Sequence, residues 1–186
     1  MIGSGVEKAQ AACPRRDARH GIVHAQVFTH EQAARAARLG MHAYIQPIFL
    51  DYDTQIVHER LGSRADDAYL AASLLHAGVS ISGGSDSPVE PPDVLEGIQC
   101  AMTRLPVTRS ENTPYLPGEA LSAAQAVDLF TRCGAYASFE ESVKGRIASG
   151  QLADFTILGG NPFEADPMLI HAIPVKAVYL GGKQVF

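Results

Sequence analysis

Short apolar runs alternate along the chain with longer stretches in which apolar residues recur every third or fourth place, which predicts strands interleaved with helices. Residues 22–28, apolar except for His24 and Gln26, predict a strand buried on both faces of a parallel sheet, with those two side chains on the same face. Thr29 and Gln32 have the spacing of a capping box, opening an alanine-rich helix that Gly40 stops. Residues 41–46 predict a second strand, closed by Pro47, with His42, Tyr44 and Gln46 on one face. Residues 48–62 read as an irregular connection of a length that suits a loop over the sheet end. Ser63-Arg64-Ala65-Asp66 then opens a helix with Ala68, Ala71, Ala72 and Leu75 as its apolar stripe, ended by Gly78.

A third strand, carrying Val79 and Ile81, runs into Gly83-Gly84-Ser85-Asp86-Ser87-Pro88. The two glycines let the backbone turn where a side chain would clash, leaving Asp86 at the carboxyl end of the strand. Asp93 caps the following helix, whose buried stripe is Leu95, Ile98 and Met102. Residues 105–118 read as a loop, Ser122 and Gln125 as another capping box, and 134–141 as helical. Beyond Gly145 the pattern becomes turn-rich, with β-like runs at 155–158 and 175–180 and a Gly181-Gly182 hairpin turn. The expected fold is therefore α/β: about three β/α units over residues 1–146, followed by β strands over 147–186.

Composition narrows the function classes. The chain has 186 residues, 46% hydrophobic and 19% charged, enough for one sizeable core. A net charge of -5, with no run of lysine or arginine, gives no electrostatic footprint for nucleic acid or an anionic membrane. No apolar stretch approaches the roughly 20 residues that span a bilayer, and the first residues lack the apolar centre of a signal peptide, so a cytoplasmic protein is expected. Cys13, Cys100 and Cys133 are scattered and odd in number, which implies neither a disulfide framework nor a zinc knuckle; buried free thiols are expected.

The motifs gain meaning together. Arg19-His20-Gly21-Ile22-Val23-His24-Ala25-Gln26, Gln46-Pro47, Ser85-Asp86-Ser87-Pro88-Val89 and Gly150-Gln151-Leu152-Ala153-Asp154-Phe155 resemble, in order and spacing, the carboxyl-terminal part of a metal-dependent amidohydrolase. The branch most similar contains the N-substituted formamide deformylases. The resemblance implies the carboxyl-terminal portion of a TIM-type (β/α)₈ barrel, contributing strands six to eight, followed by strands of a small β-sandwich. It implies His24 as a metal ligand on strand six and Asp86 as a ligand and catalytic group at the end of strand eight. Gln46 is a candidate substrate contact at the same mouth, the alternative being a buried glutamine bonded to backbone. The implied cofactor is a divalent metal, zinc foremost, and the implied substrate a small amide, formamide or cyclic amide.

Those residue types suit the chemistry. A metal held by imidazole and carboxylate can lower the pKa of its water from about 15.7 to about 7. An aspartate beside that water can take its proton and return it to a leaving amine. The family's other ligands have no counterpart here, where a catalytic zinc ordinarily has three protein ligands. The chain is therefore expected to be a portion of a larger enzyme, inactive alone and self-associating as a homo-oligomer through unpaired sheet edges. Two other readings stay open: a non-catalytic α/β binding or assembly module, and a serine hydrolase using Ser85 or Ser87 with His24. The metal and serine readings both require His24 to meet its partner, and the metal reading requires His24 and Asp86 to converge on one cavity from neighbouring parallel strands.

Overall fold

The computed structural model describes residues 2–186. Two three-stranded sheets organise the chain. Helix α1 (Ile2–Ala12) precedes strand β1 (Gly21–Val23), helix α2 (His30–Arg38) and strand β2 (His42–Ile45). Two short helices, α3 (Leu50–Asp53) and α4 (Val57–Leu61), lead to α5 (Ala71–His76), strand β3 (Ser80–Gly83) and α6 (Val94–Thr103). After α7 (Ala123–Leu129) and α8 (Arg132–Ala137), strands β4 (Phe155–Leu158), β5 (Val175–Leu180) and β6 (Lys183–Gln184) form the second sheet. The first sheet is parallel in the order β1-β2-β3 and the second antiparallel in the order β4-β5-β6.

The parallel sheet has one apolar and one polar face, set by alternation along each strand. Ala43 and Ile81 pack with Ala33 and Ala36 of α2 and Ala72 and Leu74 of α5 in the main core. Small side chains let those helices lie close to the sheet. On the other face, His42 is 1% exposed and its ring nitrogens meet Ser80 Oγ at 2.9 Å and Ser82 Oγ at 2.8 Å. Ile170 and Ile173, from the 3-10 turn Pro167–Ala172 and its end, enter the same core.

Three caps expected from the sequence form. Thr29 with Gln32 and Ser122 with Gln125 close reciprocal capping boxes, and Asp93 accepts the Leu95 amide at 2.9 Å. The strands are shorter than their apolar runs. β1 ends at Val23 instead of residue 28, because His24 and Ala25 take φ of 69° and 39°, outside the β region. Residues 48–62 are not irregular: they form a 3-10 turn, α3 and α4. The helix expected from residue 63 begins at Ala71, since a 3-10 turn occupies Gly62–Asp67 and Tyr69 sits at φ 58°. Ala68 instead joins a second core with Leu50, Val57, Ala65 and Tyr115. The helix expected over 134–141 runs over Arg132–Ala137, with Phe139 beyond it at φ 61°. Cys100 is buried, Cys133 half-buried and Cys13 exposed, so only one thiol is fully interior.

At the end of β3 the glycines divide the work differently from expectation. A side chain at Gly83 would come within 2.8 Å of the Phe130 ring, and one at Gly97 within 2.7 Å, so Phe130 wedges between β3 and α6. Gly84 has open space around it, and the left-handed turn is made by Asp86 itself, at φ 56°.

The second core and the 104–116 loop are tied by Asp51, which is 9% exposed. Its carboxylate accepts the amides of Val107 at 2.6 Å and Thr108 at 2.8 Å and the Thr108 hydroxyl at 2.5 Å, while Arg109 donates to the Asp51 carbonyl. Removing a buried acceptor strands its donors at a cost of about 1–3 kcal/mol each. Asp51→Ala is expected to lower the unfolding free energy by about 2–4 kcal/mol. Asp51→Asn, which keeps an acceptor for the two amides, should lose roughly half as much. Urea melts check this, and equal losses in the two variants would refute the role given to the amide bonds.

Candidate metal-binding site at the strand ends

The carboxyl ends of the three parallel strands bring His24, Gln46 and Asp86 together. His24 follows β1, Gln46 follows β2, and Asp86 lies in the turn after β3. His24 Nε2 stands 3.9 Å from Asp86 Oδ2, with both side chains a little over 40% exposed. His24 Nδ1 lies 3.1 Å from Gln46 Oε1. An amide oxygen only accepts, so this contact puts the imidazole proton on Nδ1 and turns the Nε2 lone pair toward Asp86. The ring also stacks on Phe49, with centroids 6.1 Å apart. His24 and Asp86 therefore do converge, but not from neighbouring strands: β2 lies between them and contributes the glutamine that orients the ring.

The backbone that carries His24 is held in an unfavourable conformation. Left-handed φ at a non-glycine residue costs about 1–2 kcal/mol, and two occur in succession here. The compensation comes from residues 67–69. The Tyr69 amide donates to the Gln26 carbonyl at 2.7 Å and the Phe28 amide to the Asp67 carbonyl at 2.8 Å. Gln26 Nε2 donates to Tyr69 Oη at 2.7 Å, and the Tyr69 hydroxyl donates in turn to Asp53 Oδ2. Burial, and then this bond to Asp53, raise the Tyr69 hydroxyl's pKa, so it remains a donor. Nothing local marks this clamp in the sequence, because its parts are joined only by the tertiary fold and a left-handed tyrosine leaves no local signature.

Glu90, four residues beyond Asp86, has its pKa raised, first by burial and then by the charges of Asp51 and Asp53. The donor set of His24 and Asp86, one imidazole nitrogen and one carboxylate oxygen, fits a divalent metal. Their 3.9 Å separation lies within the roughly 4.2 Å that two such ligand bonds span end to end. Among the described residues no group of three or more His, Cys, Asp or Glu could hold an ion. Ser85 and Ser87, the nucleophiles of the serine reading, are not the groups His24 meets: its two nitrogens face Gln46 and Asp86.

An α/β protein with a parallel sheet and an imidazole–carboxylate pair at the strand ends has the architecture in which hydrolytic chemistry collects at that end of the sheet. Residues 3–186 match the model of the amidohydrolase family, and the chain belongs to that family. It is 37% identical over 175 residues to the putative amidohydrolase YtcJ of Bacillus subtilis (strain 168), a match covering 93% of this chain and 33% of that protein. It is 26% identical over 163 residues to N-substituted formamide deformylase of Arthrobacter pascens, covering 87% of this chain and 30% of the other. Among solved structures, an uncharacterized metal-dependent hydrolase from Pyrococcus furiosus superposes with a TM-score of 0.69 at 26% identity, over 87% of this chain and 32% of that one. The chain thus spans about a third of the length of the relatives it matches. No helix among the described residues is long and apolar enough to cross a membrane.

Proposed function

We propose that this chain is the carboxyl-terminal part of a metal-dependent hydrolase that cleaves C–N bonds of small amides, formamides or cyclic amides. In this reading β1, β2 and β3 are strands six to eight of a (β/α)₈ barrel, residues 1–146 are the barrel portion, and residues 147–186 belong to a small β-sandwich. The observation that carries it is the meeting of His24 Nε2 and Asp86 Oδ2 at the ends of parallel strands, in a chain of amidohydrolase sequence. The similarity to the Arthrobacter pascens deformylase supports N-substituted formamides as the first substrates to try.

His24 and Asp86 would hold the metal, zinc foremost, with further ligands from outside these residues. When bound, the ion polarises the substrate carbonyl and acidifies a water. His24 is kept in one tautomer by Gln46, whose Nε2 is left for substrate. Asp86 takes the water's proton on its carboxylate and returns it to the nitrogen as the C–N bond breaks, giving a carboxylic acid and an amine. The chain alone is inactive in this reading and associates with copies of itself through the edges of its sheets.

A longer polypeptide carrying this chain at its carboxyl end provides the test. It is expected to release amine from N-substituted formamides or cyclic amides and to lose that activity to a chelator, with zinc restoring it. Hydrolysis indifferent to chelation would reject the metal reading. The lack, among the described residues, of a group of three that could hold an ion favours one competing view, a non-catalytic module. That view predicts no hydrolysis in the longer polypeptide and an unchanged melting temperature when zinc is added.

A further inference from the structure

Arg104 ends α6 in the left-handed conformation and is 2% exposed. Its Nε donates to the Tyr115 carbonyl at 3.0 Å, but its buried Nη2 has no partner among the described residues. A desolvated guanidinium without a counter-charge is among the costliest groups a fold can hold. The carboxylates around it are engaged elsewhere. Glu119 accepts the Ser73 amide at 2.9 Å and hydroxyl at 2.5 Å and acts on Arg104 only through space. Asp53 is taken by Tyr69 and Gln26, and Asp51 by Val107 and Thr108.

Arg104 also lines a cavity of about 20 Å³, shared with His24, Gln46, Ile45, Leu74 and Ala101. A single water needs about 10–15 Å³. At that scale the void takes about one or two water-sized groups, so only the smallest anions fit it. Ile45, Leu74 and Ala101 make part of its wall apolar, which strengthens attraction to a cation at one end.

We propose that this cavity is a binding site for a small monovalent anion, a one-carbon carboxylate fitting it best, with Arg104 as its cation. The proposal deepens, and rests on, the reading of His24 and Asp86 as a hydrolytic site: amide hydrolysis makes a carboxylate, and this pocket beside His24 selects a formyl-sized acyl group. Burial lowers the Arg104 pKa to about 10, which leaves the side chain charged at neutral pH.

The test needs neither metal nor turnover. The chain is titrated with sodium formate at ionic strength held constant with gluconate, and its melting temperature is followed. At ten times its dissociation constant, formate multiplies the folded-to-unfolded ratio about elevenfold, which raises Tm by about 3–6 °C in a chain of this size. Sulfate and benzoate should give no saturable rise. Arg104→Met should abolish the response, and Ala101→Val, which fills the cavity while keeping Arg104, should abolish it too. A wild-type chain with no saturable shift, or a shift retained in either variant, overturns the proposal; where Arg104→Met does not fold, Ala101→Val decides. Formate binding in a chain whose longer parent hydrolyses no amide would keep the pocket and reject the hydrolase reading.

Discussion

Asp86→Asn, in a longer polypeptide with measurable amide hydrolysis, is expected to lower kcat by about 10²–10⁴, the range that a general acid–base group contributes. Asparagine matches aspartate in shape and tolerates the left-handed φ of 56° that position 86 adopts, so the turn after β3 should survive the change. What is lost is chemical. The amide has no basicity with which to take a proton from water, and it brings no negative charge to face His24 Nε2 across 3.9 Å. Because both losses fall on the reacting centre, kcat should drop more than KM rises. Ser85→Ala and Ser87→Ala supply the contrast, and each should leave kcat within a factor of about three, since neither hydroxyl is the group that His24 meets. An active Asp86→Asn enzyme together with an inactive serine variant would reverse the assignment in favour of the serine hydrolase.

The parts of this protein that could be read from its sequence are those whose cause is local. Thr29 and Gln32, or Ser122 and Gln125, need only each other and one turn of helix, so their spacing was sufficient to place helix starts. That His24, Gln46 and Asp86 lie together was also legible, because each follows an apolar strand of one parallel sheet. Hidden were the features that depend on residues far apart. The apolar run 22–28 gave no warning that His24 and Ala25 leave the β region, since what keeps them there is Asp67 and Tyr69. The run 48–62 lacked a helical stripe long enough to register, yet it folds into short helices over the second core of Leu50, Val57 and Tyr115. Nothing local to Arg104 marks it as buried. Only the packing of Tyr115 and the 104–116 loop makes it a buried cation.

Acidification is expected to destabilise the protein through His42. The ring is 1% exposed, held between Ser80 and Ser82 on the polar face of the parallel sheet. A neutral imidazole satisfies both hydroxyls by donating to one and accepting from the other, whereas the imidazolium can only donate. Burial first, and the positive charge of Arg19 second, push its pKa down from 6.5 to about 4. Between those values the unfolded chain binds a proton that the folded chain refuses, so stability rises with pH. The contribution is complete above pH 6.5, declines as pH falls from 6.5 toward about 4, and is gone below that. Over the whole window it amounts to roughly 3 kcal/mol. Urea melts at intervals between pH 4 and 7, on the wild type and on His42→Gln, isolate it from the other titrating groups. The wild-type unfolding free energy should fall relative to the variant's by about that amount as pH drops. Two curves that stay parallel across the window would show that the serines and Arg19 do not hold His42 neutral, and that the polar face of the sheet admits the charged ring.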